Sequence, residues 1–539
     1  MHVVSTSRAI PNVTQIPKTS RIRHAARWSA AAVLWLALLL VPAELAAQEK
    51  PDPGESADKM WFTEGLPSNA VVRYGALGRS TSSIGIYALQ FSHDGKLLAA
   101  RDRGHAIRIL DLEKQEMVCK LPTPSSSDFA FSPDNKFIVT GNRNESQIWS
   151  IEKAEAVRDQ KHAGYRIASS TETNDLVLVG SGKVSRYRWP LPSKPVSVEP
   201  SLTGRKIVIG LSQNGKFVVF HNGRNVEILD TTTGQPILPA PPLVPRRAIV
   251  SPNGNLLGEL NRDDKLNLFD LRNAKKYRYI LQSDSRLYTA TFSADNRFLY
   301  TAHYDKSIIV WDLVTMQKIT RVAGHANEIQ TLASHPQRML ALASGASGSV
   351  DRSVIYWELR ERVFPPIEDL SDFDLDVVWY DLASEEAKVS LAATNILYQK
   401  MQQDPEVIDK LTAKLGLDAG SDDRMARGLI DNLDDRKYQV REKATSSLKS
   451  MVDQIRPLLE KELELGSQEA RWRILEVLKM DHEKPSTLTK DGRRKHRVVL
   501  ALELCGTSGT KGLLSRISSS VVDKNIVELA NEALQRLAK

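Results

Sequence analysis

The chain has little of what usually marks an enzyme. Two cysteines, Cys119 and Cys505, stand in 539 residues, far apart in different regions. They exclude a disulfide framework and a paired-thiolate metal site, and read as small buried apolar residues. There is no His-Glu-x-x-His, no Gly-x-Ser-x-Gly elbow and no phosphate loop of the required spacing. Gly506-Thr-Ser-Gly-Thr-Lys511-Gly512 lacks the Gly-Lys-Ser/Thr order and reads as a turn between helices. Asp263-Asp264, Asp422-Asp423 and Asp434-Asp435 lack the spacing of a calcium loop, and the last two read as acidic helix starts. No cofactor is implied.

Excess charge is also modest. The formal net charge is +8, and Arg8, Lys18, Arg21, Arg23 and Arg27 against Glu44 put +4 of it in the first 47 residues. The remainder gives no ground for a nucleic-acid partner. The apolar run Trp28–Val41 has 14 residues, short of the roughly 20 that span a bilayer. Basic residues, then this run, then small residues to Ala46-Ala47, follow the order of a secretory signal. Residues 1–47 are therefore expected to be a signal peptide, with an uncleaved anchor over 28–47 as the alternative. Membrane contact is expected only in the second case. The expected location is the periplasm or cell envelope, or outside the cell. Pro51, Pro53, Gly54 and Pro67 make 48–68 a flexible link.

What is present is a repeat. Phe292 to His325 contains short β-prone runs at Phe298–Ala302, Ile308–Trp311 and Lys318–Ala323, separated by Ser-Ala-Asp-Asn and Tyr-Asp-Lys-Ser turns. With the run ending at Phe292, this predicts a four-stranded antiparallel meander. Such a sheet must stack on copies of itself to bury both faces. The copies are marked by Ser92, Ser132, Ser169, Ser212, Ser251, Ser293 and Ser334, spaced 40, 37, 43, 39, 42 and 41 residues apart. Seven units of that period predict a seven-bladed propeller over 69–364. Ala70–Tyr74 is expected to complete the last blade, whose own strands lie near Ile329–Ala333, Met339–Ala343 and Val354–Trp357 and stop at Pro365-Pro366. The third and fourth repeats are interrupted by Trp189-Pro190-Leu191-Pro192 and by Pro236 to Pro245, which predicts short or irregular outer strands.

These residues resemble the WD-repeat family, named for a Trp-Asp ending the third strand. The pair is intact at Trp311-Asp312 and degenerate at Leu110-Asp111, Trp149-Ser150, Trp189-Pro190, Leu229-Asp230, Phe269-Asp270 and Trp357-Glu358. The companion Gly-His is intact at Gly324-His325. The family's turn aspartate lies six residues before the Trp, as Asp305 does before Trp311, Asp351 before Trp357 and Asp263 before Phe269. The resemblance implies a structural blade network of Asp305, Trp311, His325, Ser344, Asp351 and Trp357, not a catalytic one. In the seventh blade it implies that Asp351 accepts from turn amides and His325, and that Ser344 links His325 to the Trp357 indole.

After an acidic connector, 365–382, the period becomes helical over 383–539. Ser384-Glu385-Glu386 and Asp404-Pro405-Glu406 are helix starts. Val440, Ala444, Leu448 and Met451 fall on one face, as do Ile455, Leu459 and Leu463, then Ala470, Ile474 and Val477, and finally Ile526, Ala530, Leu534 and Leu537. Val440–Leu448 and Glu469–Arg473 resemble HEAT-like repeats, which implies an α-solenoid. Signal, propeller and helical repeats together resemble a bacterial group of exported WD-repeat proteins. Lys490, Arg493, Arg494, Lys495 and Arg497 form a basic cluster, read either as a contact patch for an anionic partner or as a solvated loop. The expected function is a non-enzymatic protein-interaction scaffold. The alternative is an enzyme or ligand-binding protein with its site at the propeller channel. That alternative needs acidic or histidine residues on the innermost strands, which are instead largely apolar at Leu89–Phe91, Phe129–Phe131, Ile207–Ile209 and Thr289–Phe292.

Overall fold

The computed structural model describes most of residues 61–538; the longest segments outside the description are 76–84, 199–206, 237–246, 416–426, 451–457 and 480–487. Residues 1–60, and with them the signal reading, lie outside it, as do Asp263, Met451 and Ile455. Among the described residues no helix is long and apolar enough to cross a membrane.

Seven separate antiparallel sheets follow one another along the chain. Their innermost strands are Ile86–Phe91, Asp128–Phe131, Arg166–Ser170, Ile207–Leu211, Arg247–Val250, Leu287–Phe292 and Ile329–Ser334. Each lies beside the next, and the seventh lies beside the first, so the ring is closed. The seven marker serines sit at or just after the ends of these strands, and all are buried. Their role is local. Ser92 and Ser293 accept from the amides of Leu97 and Phe298 at 2.9 Å and donate to Asp94 and Asp295. A short polar side chain satisfies turn amides that a two-strand reversal leaves without partners; Ser132, Ser212 and Ser251 accept in the same way from Phe137, Phe217 and Leu256, whereas Ser169 donates to Phe131 O.

Ring closure uses the amino-terminal strand. Ala70–Tyr74 pairs with Val354–Glu358 of the seventh blade, Tyr74 opposite Val354 and Arg73 opposite Ile355. Trp61–Phe62, inside the stretch read as a flexible link, adds a fifth strand by pairing with Tyr74 and Arg73. Among the described residues the outer strand of the third blade is Val196–Val198, and the fourth blade shows three strands with a bridge from Leu229 to Pro236.

One repeat position needs correction. In the third blade the Trp place belongs to Tyr187, which pairs with Leu176 as Trp311 pairs with Leu299. Trp189 lies two residues further on. A shift of two keeps a side chain on the same face of a strand, so periodicity alone cannot separate the two positions. Trp189 instead donates its indole N–H to Asp134 of the second blade at 2.9 Å.

The helical region begins at α1 (Arg360–Val363) and continues through α2 (Leu375–Asp381), α3 (Ala387–Gln403), α4 (Glu406–Lys414), α5 (Tyr438–Ser450), α6 (Gln468–Lys479), α7 (Lys490–Cys505), α8 (Ser508–Ser518) and α9 (Lys524–Leu537). The acidic connector therefore contains a helix. Asp374 caps α2 by accepting from the amides of Asp376 and Val377, so the carboxylates read as a tether act as a helix start. Of the segment 506–512, only Gly506-Thr507 is the joint. The Thr507 side chain accepts from the Thr510 amide, and α8 begins at Ser508. The apolar face of α7 and the stripes of α3, α4, α8 and α9 share one continuous core with the sixth and seventh blades, from Phe298, Tyr300 and Trp357 through Phe364 to Leu397, Leu500 and Ile517. A second, smaller core joins α5 and α6 through Ala444, Leu448, Ala470, Ile474 and Val477.

Candidate interaction surfaces

The seventh blade holds a buried polar relay. His325 Nδ1 meets Asp351 Oδ2 at 3.0 Å, and His325 Nε2 meets Ser344 Oγ at 2.8 Å. The Trp357 indole N–H donates to the same Ser344 oxygen at 2.8 Å. Asp351 also accepts from the amides of Ala326, at 2.6 Å, and Ser353, at 2.9 Å. Burial opposes ionisation of Asp351, but the hydrogen bonds from His325 and Ser353 outweigh it and hold the carboxyl well below its usual range. Gly324 is required by close approach: a Cβ there would press into Pro67 and lie 2.9 Å from the Trp357 ring.

The sixth blade reaches the same end differently. Trp311 donates to Thr301 Oγ1 at 2.7 Å, and Thr301 meets His303 Nε2 at 2.8 Å. Asp305 is not in this chain of contacts. It accepts from the Ser307 amide and hydroxyl at 3.1 and 2.5 Å and pairs with Arg321 at 2.6 Å. The spacing of Asp305 from Trp311 was therefore a guide to the turn but not to the relay, because His303 supplies the imidazole from within the second strand.

Of the five cations read as a contact patch or a solvated loop, four are engaged within the fold. They lie on the first turns of α7, where Arg493, Lys495 and Arg497 are buried, Arg494 is half-buried and Lys490 is exposed. Arg493 donates to the carbonyls of Ala383, at 2.9 Å, and Leu488, at 2.6 Å, and pairs with Glu385 at 3.2 Å. Arg494 donates to Trp379 O at 2.9 Å, and Lys495 pairs with Asp491 at 2.8 Å. Lys490 lies 4.5 Å from the Tyr380 ring. Arg497 pairs with Asp312 at 2.5 Å. The carbonyls of Trp379, in the last turn of α2, and of Ala383, two residues beyond its end, take donors from these arginines. That gain offsets the unfavourable placement of cations at the start of α7.

The helical region packs on the fifth, sixth and seventh blades at one end of the ring. Arg297 and Asp312, at the turns closing the first and third strands of the sixth blade, meet Glu503 and Arg497, and Asn253 of the fifth blade meets Glu532. Burial disfavours the Glu503 charge, yet Arg297 and Arg536, at 2.6 and 2.7 Å, outweigh it and hold the carboxyl at about 2.

The opposite end, where each second strand hands over to the third, carries a different chemistry. Tyr87, Tyr288 and Gln330 are the second residues of the innermost strands of the first, sixth and seventh blades, which are consecutive in the closed ring. The Tyr288 hydroxyl bonds to Gln330. The Tyr288 and Tyr304 rings lie 5.4 Å apart. The Arg103 guanidinium sits 5.0 Å from the centre of Tyr87, and that of Arg286 sits 5.0 Å from Tyr304. Sequence reading missed this row. The signal was available: Tyr87 and Tyr288 both stand five residues before their marker serines, Ser92 and Ser293.

Two further groupings bear on chemistry. His93 Nε2 meets Ser169 Oγ at 2.6 Å, but Ser169 is fully buried and donates to Phe131 O at 2.5 Å. The imidazole must then donate to the serine, the reverse of a base activating a nucleophile. An open cleft is lined by Asn174, Asp175, Arg186 and Arg188, where Asp175 pairs with both arginines. Among the described residues no group of three histidine, cysteine or carboxylate side chains is placed to hold a metal ion.

Residues 275–312 match the family model for the WD domain, G-beta repeat. The match runs from the outer strand of the fifth blade, Tyr277–Leu281, through the third strand of the sixth, so the sequence repeat straddles two sheets. The chain is similar to the guanine nucleotide-binding protein subunit beta of Schizosaccharomyces pombe, 26% identical over 283 residues, covering 50% of this chain and 90% of that protein. It is also similar to protein tipD of Dictyostelium discoideum, 23% identical over 315 residues, covering 54% of this chain and about half, 49%, of that protein. Among solved structures, the β-propeller domain of Cps50 (Swd1) from Myceliophteria thermophila aligns with a TM-score of 0.41 and 14% identity, covering 51% of this chain and 99% of that one. Sheet order, ring closure and the family match lead to one statement: the chain carries a WD40 repeat within a seven-bladed β-propeller, followed by a helical region.

Proposed function

We propose that the protein is a non-enzymatic scaffold that binds protein partners on its propeller. The observation that carries this reading is the asymmetry of the ring. Helices cover the turns of the fifth and sixth blades at one end, while the other end presents stacked tyrosines and arginines. Rings and guanidinium groups dominate the energetics of protein recognition surfaces. Among the described residues no group of three histidine, cysteine or carboxylate side chains is placed to hold a metal ion, which fits the same reading. The matched family model is the G-beta repeat, and one similar protein is a guanine nucleotide-binding protein subunit beta. We further propose that α5 and α6, packed through alternating apolar positions, are HEAT-like units, and that residues 1–47 direct the chain to the cell envelope.

The test is capture of partners by the purified full chain from envelope extracts, with excess soluble protein as competitor. Saturable recovery of the same proteins, abolished by the competitor, is expected. Recovery that does not saturate, or turnover of a substrate in an activity screen, overturns the scaffold reading.

A further inference from the structure

We propose that Asn253-Gly254 is a modification site, at which conversion of the Asn253 amide to a carboxylate releases α9 from the fifth blade.

The turn of the fifth blade demands a glycine at 254. Its φ is +75°, and a Cβ there would press into the Phe217 ring. A glycine after asparagine is also what makes the side-chain amide labile. With no Cβ in the way, the Gly254 nitrogen attacks Cγ of Asn253. The N–Cγ bond forms, the Cγ–Nδ2 bond breaks, and ammonia leaves with the former Gly254 amide proton. Water then opens the cyclic imide to aspartate or isoaspartate. In the closed turn the Gly254 N–H donates to Ser251 O at 2.9 Å, so the step proceeds when that turn opens. The fold thereby sets the rate of a reaction that its own turn geometry makes available.

An aspartate at 253 suits the blade. Two residues after their marker serines, the first, second and sixth blades carry Asp94, Asp134 and Asp295. Each accepts from its serine hydroxyl and from the amide two residues further on. Asn253 Oδ1 stands in the same place, 2.9 Å from Ser251 Oγ and 3.1 Å from the Asn255 amide. A carboxylate keeps both bonds. What it loses lies outside the blade. Asn253 Nδ2 donates to Glu532 Oε1 of α9 at 3.4 Å, and a carboxylate has no proton to give.

The charges around that joint are already uneven. Arg297 meets Glu503 at 2.6 Å and Asp295 at 3.7 Å, and Arg536 meets Glu503 at 2.7 Å and Glu532 at 3.6 Å. Two guanidinium groups thus serve three carboxylates. A fourth at 253 faces Glu532 where a donor stood, and both residues are half-buried, so solvent screens the repulsion only in part. Glu532 belongs to α9, which is therefore the element that gives way, while α7 keeps its own bond from Arg497 to Asp312. Isoaspartate adds a backbone atom to a turn closed against Phe217 and disturbs the same joint.

The test has two arms. In the first, the full-length protein is aged in mildly alkaline buffer, folded or unfolded in denaturant, and the peptides are mapped by mass spectrometry. Conversion at Asn253 is expected in both samples and more slowly in the folded one, with Asn214-Gly215 and Asn222-Gly223 as internal comparators. In the second, Asn253→Asp is made directly. It is expected to lower the melting temperature and to speed hydrogen exchange in α9 about tenfold, with exchange in the fifth-blade strand Leu256–Leu260 unchanged. Asn253→Asp combined with Glu532→Gln restores an amide–carboxylate bond with the roles exchanged, and is expected to recover both readings. No conversion in the folded chain, once the unfolded chain has converted, overturns the modification site. Parental melting and exchange in N253D, or a double variant as loose as the single one, overturns the release of α9.

Discussion

Arg497 of α7 donates to Asp312, the aspartate of the intact Trp-Asp pair, at 2.5 Å, and both side chains are closed to water, 1% and 0% exposed. The same carboxylate accepts from the Thr315 amide at 2.9 Å and the Thr315 hydroxyl at 2.5 Å. One residue therefore holds the turn into the outer strand of the sixth blade and anchors the helical region. Removing one member of a buried ion pair costs about 3–5 kcal/mol because the other stays behind uncompensated. Arg497→Met is expected to lower the melting temperature sharply, and Asp312→Asn combined with Arg497→Met to recover part of the loss. Additive losses in this double-mutant cycle would show that the two side chains are not coupled.

Asp351→Ala removes an acceptor that serves His325, Ser353 and the Ala326 amide at once. Each hydrogen bond contributes about 1 kcal/mol net, and leaving a buried donor unpaired costs about 1–3 kcal/mol, so a loss of a few kcal/mol is expected. The third strand of this blade pairs with Ala70–Tyr74, so the damage should spread to the closing strand. Hydrogen exchange at residues 71–74 is expected to accelerate. Unchanged protection there with an unchanged melting temperature would make Asp351 an ordinary surface carboxylate.

His335 gives the seam between the seventh and first blades a pH dependence. Its Nδ1 accepts from the amides of Gln337 and Arg338 at 3.1 and 2.8 Å, so Nε2 carries the proton and faces Gly95 O at 3.2 Å. Gly95, at φ +73°, has no room for a Cβ beside the imidazole. Burial, then the Arg338 charge, push the imidazole down to about 4, against the opposing pull of Gly95 O, Glu358 and Asp94. A histidine with a folded value below its unfolded value of about 6.5 favours the folded state above that pH and loses the contribution as pH falls towards 4. The shift corresponds to about 3 kcal/mol at most. His335→Gln is expected to flatten the stability profile between pH 6.5 and about 4. A parallel profile in the variant would remove His335 as the cause.

A fragment ending at Phe364 is expected not to persist as a soluble monomer. It would expose the face of the sixth and seventh blades that shares its core with α3, α7 and α8, leaving Arg297 and Asp312 without Glu503 and Arg497. Size-exclusion chromatography and near-ultraviolet circular dichroism of residues 61–364 provide the measurement. A monomer with native ellipticity would show that the ring is independent of its helices.

Sequence alone determined the number of blades and the closing strand. Both follow from local chemistry repeated in register: a turn serine every 37 to 43 residues, alternating apolar runs, and a β-prone segment ahead of the first repeat. In the seventh blade the WD-repeat resemblance implied contacts among His325, Ser344, Asp351 and Trp357, and these side chains meet there. Registers failed where the chain offered two candidates of the same parity, as at Tyr187 and Trp189. Only the tertiary structure decided what the charged residues do. The cations of α7 look like a free patch in sequence because their partners, Trp379 O, Ala383 O and Asp312, lie more than 100 positions away. The row from Arg103 to Arg286 likewise exists only because ring closure brings the first blade beside the seventh, which adjoins the sixth. Backbone pattern is written locally, whereas charge pairing depends on which distant surfaces the closed ring and its helices bring together.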